Sequence, residues 1–142
     1  MPAANGPTPT LPASGSGQQL GDGNSSNVIM GTMDITAIGS YTTTSTITTA
    51  AILSGLLTYT GSGHTLTTPT GTQLDAAVPN AKVGSFIEFG VNATTGTATL
   101  DGGTGVTDNA TGAGSLAVAA NASARYRLVK TGTATWNLYR VG

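Results

Sequence analysis

The chain has 142 residues, a net charge of −1 and charged side chains at only 8%, against roughly 25% in an ordinary globular domain. That length fits one domain with an appended arm and leaves no room for two. Five cations are too few to neutralise a run of phosphates, which argues against nucleic-acid binding, and a hydrophobic content of 38% with so little charge argues against disorder of the whole chain.

Cysteine is absent and histidine occurs once, at His64. Disulfides, thiolate catalysis, cysteine-based zinc sites and multi-histidine metal sites are therefore excluded within one chain, and no cofactor is expected. No run of 18 apolar residues is present and the first residues carry neither a basic nor an apolar leader, so neither a membrane span nor a secretory signal is expected. Threonine (27 residues) and glycine (21) fill the space that charges leave. Threonine favours pleated, half-buried strands, and glycine supplies turns. The composition and patterning predict an all-β domain of short, mainly antiparallel strands and tight turns, with one short helix and an extended N-terminal arm. Its surface of hydroxyls and amides has little electrostatic protection against association, which predicts burial in an assembly.

In chain order, residues 1–27 hold four of the six prolines, interleaved with Gly, Ser, Gln and Asn. They predict an extended arm in which only Leu11 and Leu20 could anchor on a neighbour. The β domain is expected over 28–142. Alternation at Met33, Ile35 and Ala37 predicts a first strand, and Thr42–Thr49, apolar only at Ile47, a second, exposed or interfacial one. Ala50–Ser54 predicts one helical turn closed by Gly55. Leu56–Thr60 and His64–Thr68 predict two strands around the turn Gly61-Ser62-Gly63. Thr70–Val78 predicts the helix: Thr70 caps it, Gln73 completes a capping box, and Pro79 stops it. From Ser85 onward a meander of strands is expected: Ser85–Val91, Ala98–Leu100, Ser115–Ala119, and a hairpin of Ala124–Lys130 with Ala134–Val141. In that hairpin Tyr126 and Leu128 face one way and Arg125 and Arg127 the other, while Trp136 and Leu138 share a face.

Candidate chemistry is sparse. His64 lacks a flanking nucleophile or carboxylate pattern and reads as a turn or interface residue. Asp101 and Asp108 flank a Gly-rich loop but lack the carboxylate number and spacing of a calcium loop. Glu88 and Asp101 would be a poor glycosidase pair in a chain with so few aromatics. The residues that stand out are Phe86 and Glu88, which alternation places together on an outward face. Phe86 beside Glu88 suits an intersubunit contact in which Glu88 meets Arg125, Arg127 or Lys130. The alternative is a surface ion pair within one chain, and the sequence leaves both open.

Four blocks carry a family likeness: Thr65–Thr70 with Leu74–Ser85, Ala98–Thr107, Ala119–Val129, and Trp136–Gly142. Together they resemble a module of tailed-bacteriophage virion proteins, the capsid cement (decoration) proteins and the head or tail fibre tips, over about residues 30–142. The resemblance implies a non-enzymatic homotrimer of small β-barrel or β-sandwich domains that binds the major capsid protein on the outer capsid surface of the virion, with arms reaching neighbours. It carries over no catalytic residue. The interface residues then expected are Phe86, Glu88, Arg125 and Arg127, with Leu11 and Leu20 in the arm.

Overall fold

A computed structural model describes residues 38–109 and 116–142. The expected arm with Leu11 and Leu20, the strand expected at Met33, Ile35 and Ala37, and the first residue of the strand expected at Ser115–Ala119 lie outside the described residues. The elements are β1 (Gly39–Tyr41), β2 (Ser45–Thr46), α1 (Thr49–Leu53), β3 (Leu56–Tyr59), β4 (His64–Thr67), α2 (Gly71–Ala77), β5 (Phe86–Ala93), β6 (Ala98–Asp101), β7 (Val106–Asp108), β8 (Ala117–Val118), β9 (Ala122–Gly132) and β10 (Thr135–Arg140).

The strands form two sheets, one of order β1-β3-β5-β9-β10-β7 and one of order β2-β4-β6-β8. From β1 to β6 the chain alternates between them. Each turn of chain lays one strand in the larger sheet and one in the smaller, parallel to the strand before it. Gly39 lies beside Leu57, and Leu57 beside Val91; in the other sheet Ser45 lies beside Leu66, and His64 beside Ala98. Three coils result, the first two each closed by a helix. β9 then caps the larger stack antiparallel to β5, and β8 caps the smaller antiparallel to β6.

The expected mainly antiparallel sandwich or barrel is corrected in three respects. Five of the eight strand pairings among the described residues are parallel. There are two helices, α1 being the turn expected at Ala50–Ser54. Neither sheet closes into a barrel. Parallel neighbours need a crossover, and here a strand in the opposite sheet supplies it. The short turn Gly61-Ser62-Gly63 carries the chain from one sheet to the other. The expected strand at Thr42–Thr49 shrinks to Ser45–Thr46, because Ile47 turns into the core and Thr48 becomes a helix cap.

Both helices begin the same way. The Thr48 hydroxyl accepts from the Ala51 N–H at 3.1 Å, and the Thr70 hydroxyl from the Gln73 N–H at 3.2 Å. Gln73 returns the favour at Thr70 N–H, at 2.9 Å, completing the capping box. α1 ends at Gly55, whose φ of +86° is the left-handed conformation that terminates helices. Short helices of five and seven residues do not hold themselves together. They are held by burying Ala51, Ile52 and Leu74 in one core with Leu57, Tyr59, Phe89, Tyr126, Leu128, Trp136 and Leu138. At Tyr126 the buried hydroxyl donates to the Leu116 carbonyl at 2.8 Å, and burial pushes its pKa up to about 12.

The hairpin of β9 and β10 is fastened to α2 by Asp75. One carboxylate oxygen accepts from Ala134 N–H at 2.8 Å; the other accepts from the Trp136 indole N–H and the Lys130 ammonium, each at 2.8 Å. Gly71 makes the approach possible, since a β-carbon there would lie 2.0 Å from the Ala134 carbonyl. The Lys130 hydrogen bond, aided by the Ala134 N–H, lowers the Asp75 pKa from 3.8 to about 2. A carboxylate whose pKa is lower in the folded chain stabilises the fold fully above the unfolded value, and that contribution is lost as pH falls from about 4 towards 2. Asp75→Asn should lower Tm by several degrees near neutral pH and flatten the fall in Tm across that acid window. Circular-dichroism melts against pH read both, and an unchanged acid limb would contradict this role.

Candidate functional site

Alternation along β5 and β9 divides their side chains cleanly. Phe89, Val91, Ala124, Tyr126 and Leu128 enter the core, leaving Phe86, Glu88, Arg125 and Arg127 on the outer face of the six-stranded sheet. Pairing of the two strands sets Glu88 opposite Arg127 and Gly90 opposite Arg125. All four expected interface residues of the β domain therefore come together on one face.

Their contacts form a unit. Glu88 Oε2 accepts from Arg125 Nη2 at 3.2 Å, and Oε1 accepts from Arg127 Nε at 2.8 Å and from Arg127 Nη2. The Arg127 guanidinium lies 4.4 Å from the centroid of the Phe86 ring, a cation–π contact. The Arg127 hydrogen bond, outweighing partial desolvation and aided by Arg125, holds the Glu88 carboxyl below its usual pKa. One carboxylate facing two guanidiniums leaves the cluster with a surplus positive charge. Phe86 is 56% exposed and the Arg125 side chain 70% exposed, while the Arg127 side chain is 40% exposed.

Of the two readings of Glu88, the structure shows the pair within one chain, with Arg125 and Arg127 as partners. Lys130 is not among them, because it points into the core side of β9 and binds Asp75. Sequence reasoning missed the apolar surroundings. Val129 stands opposite Phe86, and Leu56 beside Gly90, where the missing side chain leaves room for its Cδ1. Tyr139 stands opposite Arg127, and Val141, 46% exposed, hydrogen-bonds to the Arg125 carbonyl. Strand alternation could have named Tyr139 and Val141; nothing local could have placed Leu56, which reaches the patch through a parallel pairing.

The other candidates are tied up in structure. His64 sits at the coil corner after Gly63. The Tyr59 hydroxyl accepts from Gly63 N–H at 3.0 Å and shares a hydrogen bond with His64 Nδ1 at 2.7 Å. The ring's partner is thus a phenol rather than a carboxylate. Burial and the neighbouring Asp101 carboxyl raise the Asp108 pKa. Glu88 and Asp101 lie in different sheets with different partners. Among the described residues no three His, Asp or Glu side chains gather as a metal site. A groove of about 570 Å³, unanticipated from sequence, runs between the two helix starts and is lined by Thr46, Thr48, Pro69, Gln73 and Ala76.

The chain matches no family model, no curated protein and no solved structure, so the residues themselves carry the functional argument.

The ion triad is exposed, so its worth to folding is small. Glu88→Gln should leave the fold intact and lower Tm by about two degrees or less, well under the effect of Asp75→Asn. A loss as large as that of Asp75→Asn would mean that the triad supports the fold instead of dressing its surface.

Proposed function

We propose that this chain is a virion structural protein, a capsid cement (decoration) protein that binds an assembled phage shell as a trimer and stabilises it, with no enzymatic role. The observation that carries this reading is the gathering of Phe86, Glu88, Arg125 and Arg127 on one open sheet face. Arginine and aromatic side chains at the centre of a patch, ringed by aliphatic ones, are the composition of protein–protein contacts. The scarcity of other surface charge supports the same reading, because such a surface is kept soluble by being covered. The proposed mechanism is mass action. A protein that binds the closed shell better than free shell subunits makes rupture costlier, and many weak copies act together.

A second reading, a head or tail fibre tip that binds a host surface, is favoured by the coil stack. Parallel strands laid down turn by turn are how elongated solenoids are built. Copy number separates the two. Quantitative mass spectrometry of virions carrying this protein should find it in fixed proportion to the major capsid protein, and shells stripped of it should rupture at lower temperature. A handful of copies per virion, with unchanged shell stability after removal, would contradict the cement reading and support the tip.

A further inference from the structure

We propose that the outer face of the six-stranded sheet recognises an acidic protein surface, one that offers side-chain carboxylates to Arg125 and apolar groups to Phe86. The proposal rests on the reading of this face as a docking surface and names the chemistry of what docks there.

Charge complementarity selects the partner. Glu88 is shared by two guanidiniums and is mainly engaged by Arg127, through Nε and Nη2. Arg125 gives it only Nη2, at 3.2 Å, and its side chain is 70% exposed. A guanidinium offers five donors in a fixed fork suited to carboxylates, and most of this fork is unspent among the described residues. Arg127, by contrast, is already immobilised between Glu88 and the Phe86 ring. Binding there costs less ordering entropy than at a free arginine.

A second copy of the same face is a poor occupant. A two-fold self-contact would set surplus positive charge against surplus positive charge. Of the other described side-chain carboxylates, Asp75 is engaged by Lys130, Trp136 and Ala134. A phosphate backbone is an equally poor fit, because affinity for it grows with the number of cations supplied and here only one is in surplus. An acidic surface with apolar groups beside it satisfies both halves of the patch. Contacts that hold a trimer together then fall elsewhere on the chain.

The test uses the full chain and three immobilised random copolymers: poly(Glu,Tyr), poly(Glu) and poly(Lys,Tyr). Biolayer interferometry at about 50 mM and about 300 mM salt should show binding to poly(Glu,Tyr) about tenfold tighter than to either of the others, weakening as salt rises. Arg125→Glu should lose about tenfold of that binding or more, and Phe86→Ser a comparable amount, with melts confirming that both variants fold. Equal binding to poly(Lys,Tyr), no binding to poly(Glu,Tyr), or indifference to Arg125→Glu would overturn the proposal. So would sedimentation showing that the wild type self-associates through this face and that Arg125→Glu abolishes it. The shell reading fails separately. Shell attachment that ignores Arg125→Glu removes the acidic partner but keeps the cement function, whereas copolymer binding with no attachment to shells does the reverse.

Discussion

The constraint on which this molecule turns is the scarcity of charge. With so few ionic groups, repulsion cannot keep surfaces apart, and several of the described charges have a local task. Asp75 and Lys130 tie a helix to a hairpin. Glu88 gathers Arg125 and Arg127 on the outside of a sheet. Asp101 and Asp108 stand close together beside a glycine-rich loop, where burial and the Asp101 carboxyl raise the Asp108 pKa. The first network is turned towards the core and steadies the fold. The second is turned outward and leaves a positive, aromatic surface with nothing among the described residues to cover it.

The architecture explains why the surface arises where it does. β5 is the strand at which the parallel coil stack ends and the antiparallel cap begins, since it pairs parallel with β3 and antiparallel with β9. Cross-strand neighbours on a sheet face stand within side-chain reach. The antiparallel side brings two arginines to Glu88, and the parallel side brings Leu56 to the space above Gly90. The patch thus joins residues from three separate parts of the chain on a frame made rigid by main-chain hydrogen bonds.

Local chemistry made part of this legible beforehand. Thr70 and Gln73 announce a capping box by type and spacing, and the structure contains it. Alternation in the last two strands sorts Tyr126, Leu128, Trp136 and Leu138 from Arg125 and Arg127, and burial agrees. The parallel pairing was not legible. A three-residue glycine turn looks the same whether it reverses a hairpin or rounds a corner between sheets, and only the partner strand decides. Val106–Asp108, too short to show alternation, finds its place as a strand only beside Trp136–Leu138. Asp75 looked like one more helix residue, because its partner Trp136 lies 61 positions away. On the candidate face, types and orientation were readable from sequence, whereas the pairing of Glu88 with Arg125 and Arg127 within one chain follows from strand register.

The central claim is that the outer face of the six-stranded sheet is what the assembly covers. Hydroxyl-radical footprinting of the protein free and attached to shells measures this most directly. The account requires Phe86, Leu56 and Tyr139 to lose most of their reactivity on attachment, while Tyr41, at the far edge of the same sheet, keeps its own. Phe86 reacting as fast on the shell as in solution, with protection appearing around the groove between the helices instead, would contradict it.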